Sequence, residues 1–151
     1  MTLPRCPFCA IVAGETPAHR VLEDDACVAF LDARPLFPGH ILVVPREHRE
    51  TMSDLKAPEL AALFESAQVL CRAVESGLGA QGSFVAVNNR VSQSVPHAHV
   101  HVVPRNKGDG LRGFFWPRHK YASEEEAEEV AESLRAAIRR SDAADGRRRP
   151  R

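Results

Sequence analysis

The 151-residue sequence contains no long apolar run and no excess of charge of either sign. A membrane-spanning helix needs roughly 20 consecutive apolar residues, and no segment approaches that length. Twenty basic residues balance twenty acidic ones, so the net charge provides no general attraction to nucleic acid or to anionic lipid. The first residues also lack the apolar core of a secretory signal. We therefore expect a soluble cytoplasmic protein that binds neither nucleic acid nor membranes.

Two glycine-rich nucleotide-binding motifs are absent as well. Neither Gly-x-Gly-x-x-Gly nor Gly-x-x-x-x-Gly-Lys occurs, so there is no sign of a dinucleotide-binding fold or of a P-loop. The length suits one domain, and 44% apolar with 26% charged residues argues against wholesale disorder. We predict that residues 1–140 form this domain and that residues 141–151, which are rich in arginine, form a disordered basic tail.

Hydrophobic patterning predicts four strands and two helices. The strands cover residues 26–31, 40–44, 83–87 and 98–103, which are apolar and bounded by turn residues. One helix opens at Pro58, keeps a 3.6-residue apolar period and ends at Gly77 and Gly79. A second helix starts at Ser123, and its expected buried stripe consists of Ala127, Val130, Ala131, Leu134 and Ile138. Because strands and helices do not alternate regularly, we predict an α+β domain with a mainly antiparallel sheet and two helices packed on it.

The most informative feature is a row of three histidines at every second position, His97, His99 and His101. Alternate side chains of a strand share a face, so the imidazoles would line one face and the apolar residues between them the other. A single histidine is often structural, but a row of imidazoles packs poorly and is costly to bury unpaired. Two chemistries fit the row. One is a catalytic zinc held by His99, His101 and a third histidine, and the other is nucleophilic attack by one neutral imidazole that its neighbours tune.

The segment from His97 to Val103 resembles the signature of the histidine triad (HIT) family, His-φ-His-φ-His-φ-φ with φ apolar. Similar matches extend over roughly Cys6 to Trp116. They are Cys-x-x-Cys-x-Ile-x-x-Gly-Glu from Cys6 to Glu15, Ala29-Phe30-Leu31-Asp32, the segment from Pro38 to His48, and Gln93-Ser94. The resemblance implies a HIT-like fold and a twofold homodimer whose sheet continues across the interface.

The same resemblance implies a hydrolase that acts on the α-phosphate of a purine nucleotide derivative, either a phosphoramidate or a dinucleoside polyphosphate. His99 would attack the phosphorus and carry the nucleotidyl group. His101 would hydrogen-bond the phosphate or the leaving group, His97 would orient the nucleophile, and His40 would lie beside the phosphate. A nucleotidyltransferase on the same scaffold and a non-catalytic nucleotide-binding regulatory module are the alternatives.

Six further residues match substrate-binding positions of the family. Asp32 would accept the ribose hydroxyls, Phe30 and Leu31 would line the base pocket, and Asn88, Gln93 and Ser94 would contact the phosphate. The loop departs from the family pattern, because Val91-Ser92 replaces a small glycine-containing pair and the loop after Asn88 is shorter than in many relatives. Either Asn88 or Asn89 therefore fits the phosphate position, whereas the residues alone, without the histidine row, favour an asparagine turn.

The Cys6-x-x-Cys9 pair has three interpretations: a redox pair, two unrelated thiols, or half of a metal site. A closed structural zinc site needs four ligands. Some HIT proteins, and the related galactose-1-phosphate uridylyltransferases, complete such a site with two histidines, which here are His48 and His97. The resemblance therefore implies a structural Zn²⁺ bound by Cys6, Cys9, His48 and His97.

The remaining cysteines and histidines are expected to be less informative. We expect Cys27 and Cys71 to be small buried hydrophobes, and His19 and His119 to be surface or loop residues. Trp116 resembles an aromatic residue that relatives direct toward the neighbouring subunit's site, and it also suits a simple hydrophobic anchor.

Overall fold

The computed structural model describes residues 6–111 and 119–144, with the side chains of 141 and 142 left undescribed. In chain order the elements are α1 (Pro7–Val12), β1 (Arg20–Glu23), β2 (Cys27–Leu31), β3 (Ile41–Pro45), α2 (Ala57–Leu78), β4 (Gly82–Ala86), β5 (Val100–Arg105) and α3 (Glu124–Ala144). The chain divides between Asp109 and Gly110 into two compact units, and α3 belongs to the second. Among the described residues, no helix combines the length and the apolar character that a membrane span requires.

The five strands form one antiparallel sheet in the order β1-β2-β3-β5-β4. All four predicted strands are present, each displaced by at most two residues from its expected bounds. The prediction missed β1 and α1. β1 lies at the sheet edge and has a charged residue at each end, while α1 has only six residues, which is too short for a helical period to be recognised.

α2 covers one face of the sheet and encloses the larger core. Because side chains alternate along a strand, each central strand sends every second residue to this face. The buried residues of this cluster are Cys27, Ala29, Ile41, Val43, Val100 and Val102 from the sheet and Leu63, Ala67, Leu70 and Val74 from α2. Cys27 is fully buried and Cys71 is half-buried against the same cluster, so both thiols pack as small apolar groups.

The opposite face of the sheet packs against α1. Phe8 of α1 contacts a second cluster that contains Val28, Phe30, Leu42 and Val44. In the β3–β5 ladder Leu42 lies opposite His101, so His101 belongs to this face and not to the face that α2 covers. The alternation therefore separates the imidazoles from the main core, as the sequence predicts.

The two ends of α2 follow from local hydrogen bonds and backbone conformation. At its start the Lys56 N–H donates to the Glu59 carboxylate at 2.7 Å, and Arg49 pairs with the same carboxylate at 2.6 Å. These bonds lower the pKa of Glu59 to about 2, with Arg49 as the largest cause. At its end Gly79 adopts φ 68°, a left-handed conformation that glycine tolerates best. Gly79 ends the helix as predicted, whereas Gly77 lies inside it.

The stripe predicted on α3 belongs to the second unit, in which the helix itself is present. Of the five predicted residues, Ala127 and Ala131 are half-buried and Val130, Leu134 and Ile138 are exposed. An amphipathic pattern identifies the apolar side of a helix, but it does not say what covers that side. α2 is therefore the long helix for which packing on the sheet is established. α3 also continues to Ala144, beyond the predicted domain end at residue 140, while residues 145–151 of the predicted tail lie outside the described part.

Candidate active site

The first two histidines of the row precede β5, and the third lies within it. The Ala98 N–H donates to the Arg49 carbonyl at 2.6 Å, which fixes the extended segment that leads into the strand. The rings of His97 and His99 both contact Phe8, with centroid distances of 6.0 and 5.1 Å. The ring of His101 lies 4.9 Å from that of His99. The three imidazoles thus share the α1 side of the sheet, but their hydrogen bonds differ.

Cys6, Cys9, His48 and His97 converge at the start of α1, with one ligand atom of each within 4.8 Å of all the others. Cys6 Sγ lies 3.4 Å from His97 Nδ1, and Cys9 Sγ lies 3.3 Å from His48 Nδ1 and 3.5 Å from His97 Nδ1. In a tetrahedral zinc site with ordinary bond lengths, sulfur and nitrogen ligands stand roughly 3.6 Å apart. These three sulfur–nitrogen distances therefore match those of a tetrahedral zinc site.

The hydrogen bonds of His97 also fit a metal ligand. Its Nε2–H donates to the Pro45 carbonyl at 2.9 Å, so Nδ1 is the unprotonated nitrogen that faces the two thiols. Burial lowers the pKa of this imidazole, which favours the neutral form that binds metal. A carbonyl that fixes the tautomer of a ligating histidine is a common outer partner in zinc sites. The residues present are thus able to hold a structural Zn²⁺.

The hydrogen bonds of His99 leave one nitrogen with a free lone pair. His99 Nδ1 lies 2.7 Å from the carbonyl oxygen of His97, and only a protonated nitrogen can donate to that oxygen. The proton is therefore on Nδ1, and Nε2 carries the lone pair. His99 is buried except for the part that lines the main cleft of the first unit.

His101 has the opposite tautomer, which His40 determines. The Leu36 N–H donates to His40 Nδ1 at 3.1 Å, so the proton of His40 is on Nε2. His40 Nε2 in turn donates to His101 Nδ1 at 2.9 Å, which leaves the proton of His101 on its Nε2. This Nε2–H is buried and has no hydrogen-bond partner among the described residues. A buried donor without a partner is costly, so it is a place where a ligand acceptor would bind.

Electrostatics keep both of these imidazoles neutral. Burial, followed by the nearby His99 and His40, lowers the pKa of His101 to about 4. Burial is also the largest cause that lowers the pKa of His40, and the Asp32 carboxylate 3.8 Å away opposes it. At neutral pH the pair therefore acts through its fixed tautomers and not through positive charge.

The cleft beside these rings has a volume of about 590 Å³. The predicted residues among those that line it are Phe30, Leu31, Asp32, Ser94, His99 and His101. One oxygen of Asp32 accepts the Arg34 N–H at 2.8 Å, which holds the carboxylate at the end of β2. The structure thus brings together an apolar pocket, a carboxylate and two imidazoles of the histidine row within one cleft.

Two predicted phosphate-site residues do not line this cleft. Gln93 donates from Nε2 to the Glu50 carbonyl at 2.6 Å and accepts the Arg90 N–H at 2.8 Å, so its amide holds the loop. Asn88 is half-buried outside the cleft lining, and the neighbouring Asn89 accepts the Met52 N–H at 2.9 Å. Arg90 and Ser92 adopt φ 66° and 59°, an uncommon conformation for residues other than glycine. These side-chain bonds stabilise the shortened loop in that conformation.

Sequence reasoning missed one wall of the cleft. Phe8, Ile11, Ala18 and His19 line it from α1 and from the segment before β1. The sequence did contain a signal for this wall. If Cys6 and Cys9 bind a metal together with His97, the apolar residues next to these cysteines must lie close to the histidine row. His19 and His119 are exposed as expected. Trp116 lies outside the described residues.

Comparison with known sequences gives consistent matches. The sequence matches the HIT domain family over residues 13–108. It is 36% identical over 144 residues to an uncharacterized HIT-like protein of Mycobacterium tuberculosis, which covers 92% of this chain and 96% of the relative. It is 34% identical to an adenosine 5′-monophosphoramidase of Schizosaccharomyces pombe, over 80% of this chain and 89% of the relative. An adenylylsulfatase of Arabidopsis thaliana is 31% identical, over 86% of this chain and 68% of the relative.

Solved structures agree with this assignment. A Streptococcus mutans UA159 protein superposes with a TM-score of 0.82 at 33% identity, over 91% of this chain and 87% of that one. A Zn-bound histidine triad family protein of Mycobacterium smegmatis superposes with a TM-score of 0.69 at 38% identity, over 93% of this chain and 97% of that one. The predicted α+β architecture with its antiparallel sheet is confirmed.

Proposed function

Because the chain belongs to the HIT family, we propose that it is a nucleotide hydrolase that cleaves purine nucleotide derivatives at the α-phosphate. The substrate class is a nucleoside phosphoramidate or a dinucleoside polyphosphate. Two relatives are named as an adenosine 5′-monophosphoramidase and an adenylylsulfatase, and both names support a nucleotide derivative as the substrate.

The observation that carries this proposal is the pair of opposite tautomers in one cleft. His99 Nδ1 is bonded to the His97 carbonyl, so Nε2 offers a lone pair. His101 Nδ1 is bonded to His40, so its Nε2 offers an unpartnered proton. A nucleophile and a hydrogen-bond donor on adjacent rings suit displacement at phosphorus, because one attacks and the other stabilises the charge that develops.

The proposed reaction has two steps. In the first, His99 Nε2 attacks the α-phosphorus, the bond from phosphorus to the leaving group breaks, and the leaving group takes a proton from water while the His101 Nε2–H hydrogen-bonds it. In the second, water attacks the phosphorus of the nucleotidyl-histidine, the phosphorus–nitrogen bond breaks, and the proton of the attacking water passes to solvent. The nucleoside monophosphate then leaves, and His99 keeps its proton on Nδ1 and its lone pair on Nε2.

Substrate binding in this proposal follows the lining of the cleft. Phe30 and Leu31, together with Phe8, form an apolar slot for the base. The Asp32 oxygen that does not accept the Arg34 N–H would accept hydrogen bonds from the ribose hydroxyls. Ser94 offers a hydroxyl to the phosphate from the cleft wall. In this proposal Asn88 and Gln93 belong to the loop that binds the phosphate, and the Gln93 amide holds this loop through its bonds to Glu50 and Arg90.

We further propose that Cys6, Cys9, His48 and His97 hold a structural Zn²⁺. When bound, the ion supplies a cross-link between α1 and the segment before β5. His97 then contributes through two groups of this chain. Its Nδ1 binds the ion. Its carbonyl oxygen accepts the His99 Nδ1–H at 2.7 Å and so orients the His99 ring. Fixing the ring of His97 also fixes the carbonyl that determines the tautomer of the nucleophile.

A homodimer and a cytoplasmic location belong to the same proposal. β4 is an edge strand of the sheet, and Val85 on β4 and Phe64 on α2 are both partly exposed large apolar side chains. An edge strand offers unpaired backbone groups that a second copy can satisfy by extending the sheet. The cytoplasmic location stays a prediction.

The test compares turnover of adenosine 5′-phosphoramidate and of a diadenosine polyphosphate by the wild-type protein and two variants. We expect release of AMP by the wild type and a loss of about 10³-fold or more in His99→Ala. His119→Ala is the matched control, since His119 is an exposed histidine and is not among the residues that line the cleft, and it should keep wild-type rates. Failure to turn over either substrate, or equal rates in His99→Ala and wild type, would refute the proposed activity.

A further inference from the structure

The peptide group between His97 and Ala98 connects the nucleophile of the proposed reaction to the segment after β3. Its N–H donates to the Arg49 carbonyl at 2.6 Å, and its carbonyl oxygen accepts the His99 Nδ1–H at 2.7 Å. A peptide group is planar, so the bond to Arg49 also sets the direction in which this carbonyl oxygen points. The position of the Arg49 carbonyl therefore controls the orientation and the tautomer of the His99 ring.

The next carbonyl along the chain binds the other side of the site. Glu50 accepts the Gln93 Nε2–H on its backbone oxygen at 2.6 Å, and Gln93 belongs to the loop that binds the phosphate in the proposed function. Gln93 also accepts the Arg90 N–H at 2.8 Å, so its amide ties this loop to the segment after β3. The consecutive carbonyls of Arg49 and Glu50 thus set the nucleophile and the phosphate loop in register with each other.

An ion pair with α2 holds this segment in place. Arg49 Nη2 lies 2.6 Å from Glu59 Oε1 and Arg49 Nε lies 3.1 Å from Glu59 Oε2, a bidentate pair that fixes orientation as well as distance. The two side chains are 26% and 20% exposed, so the pair is largely shielded from solvent. The bonds from Arg49 are the largest cause that lowers the pKa of Glu59 to about 2, so the carboxylate is ionised at neutral pH. The pair therefore anchors the Arg49 backbone to the first turn of α2.

We propose that Glu59 is a positioning residue, which acts through Arg49 to hold the His99 imidazole in register with the phosphate loop. This inference rests on the proposed hydrolase function. Glu59 is not among the residues that line the cleft, so its effect on the reaction passes through the Arg49 carbonyl and the peptide group that it binds. A misplacement of about 1 Å caused far from the chemistry can slow a reaction about a hundredfold, and a partial loss of register has a smaller effect. Loss of the pair should therefore lower kcat and leave nucleotide binding nearly unchanged.

The test compares the kinetics of two variants on the substrate that the wild type hydrolyses. Glu59→Gln keeps an oxygen for the Lys56 N–H at the start of α2 but removes the charge that Arg49 binds. We expect kcat to fall about tenfold while KM stays within about twofold of the wild type. Asp109→Asn is the matched control, because it breaks a bidentate pair of the same kind, with Arg105, at the end of β5 away from the histidine row. This control should keep the wild-type kcat. Equal losses in the two variants, or no loss in Glu59→Gln, would overturn the proposal.

A double-mutant cycle tests whether Glu59 acts through Arg49. Arg49→Gln should lower kcat about as much as Glu59→Gln does, and the double variant should lose only about tenfold in total, because both substitutions break the same connection. Losses that multiply to about a hundredfold in the double variant would contradict action through Arg49.

NMR of the imidazole nitrogens gives a readout that needs no turnover. In the wild type we expect one tautomer of His99, with the proton on Nδ1. Glu59→Gln should populate the second tautomer and move the two His99 nitrogen signals toward each other, whereas Asp109→Asn should leave them in place. Unchanged His99 signals in Glu59→Gln would also overturn the proposal. If the wild type hydrolyses neither substrate, the proposed function fails, and the NMR comparison still decides whether Glu59 positions His99.

Discussion

Replacement of Cys9 by alanine tests the link between metal binding and stability most simply. Cys9 Sγ lies 3.3 Å from His48 Nδ1 and 3.5 Å from His97 Nδ1, so it contacts both histidines of the cluster. Cys9 lies within α1, whose Phe8 packs against the second core cluster and lines the cleft. Loss of this thiol should therefore release zinc and weaken the attachment of α1 to the sheet.

The magnitude follows from linkage between binding and folding. If the loss of one ligand in four weakens zinc binding by about a thousandfold, the folded state loses about 4 kcal/mol of stabilisation. For a protein of this size each kcal/mol corresponds to about 2–4 °C in melting temperature. We therefore expect Cys9→Ala to melt about 8–16 °C below the wild type, and chelation of the wild type to give a similar shift.

Thermal melts and elemental analysis measure this prediction. Cys71→Ala is the matched control, because Cys71 is also half-buried but lies outside the metal cluster. It should keep its zinc and lose only a few degrees through poorer packing. Purified wild-type protein without zinc, together with a Cys9→Ala variant that melts at the wild-type temperature, would refute the structural zinc site.

Three further predictions concern the cleft. His101→Ala removes the hydrogen-bond donor and should lower kcat about 10²–10³-fold with a smaller change in KM, and steady-state kinetics that show the reverse split would contradict its role at the reacting phosphate. Asp32→Asn keeps the bond to the Arg34 N–H but loses the charge offered to the ribose, so KM should rise about tenfold, while an unchanged KM would count against ribose binding there. Burial lowers the pKa of His101 to about 4, so the unfolded chain binds more protons than the folded one between about pH 6.5 and 4. The free energy of unfolding should then fall by about 2 kcal/mol as the pH drops through that window, since partial exposure of the ring reduces the full effect. Denaturant titrations should show a smaller fall in the unfolding free energy of His101→Gln over the same pH range.

The strands and the histidine face were predictable because they depend on local patterns. β2, β3, β4 and β5 are apolar, bounded by turn residues, and fall within two residues of their predicted limits. The alternation of apolar residues with His99 and His101 was enough to place the rings opposite the α2 core. Gly79 also marked the end of α2, since its left-handed conformation suits glycine.

Other features depend on contacts that a sequence pattern does not contain. The tautomer of His101 depends on the Leu36 N–H, which reaches it through His40. Gln93 matches a phosphate-site position, but its amide bonds to Glu50, 43 residues away. The same reason explains α3, where the pattern correctly predicts the helix but says nothing about what covers its stripe.

Direct detection of a nucleotidyl group on His99 tests the central claim. Adenosine 5′-phosphoramidate is mixed with the protein, the reaction is quenched in alkali because phosphorus–nitrogen bonds to histidine are labile in acid, and the peptides are analysed by mass spectrometry. The two tautomers predict one adenylyl group on the peptide that contains His99, and none in His99→Ala. Release of AMP at the full rate with no adduct on that peptide would contradict the account.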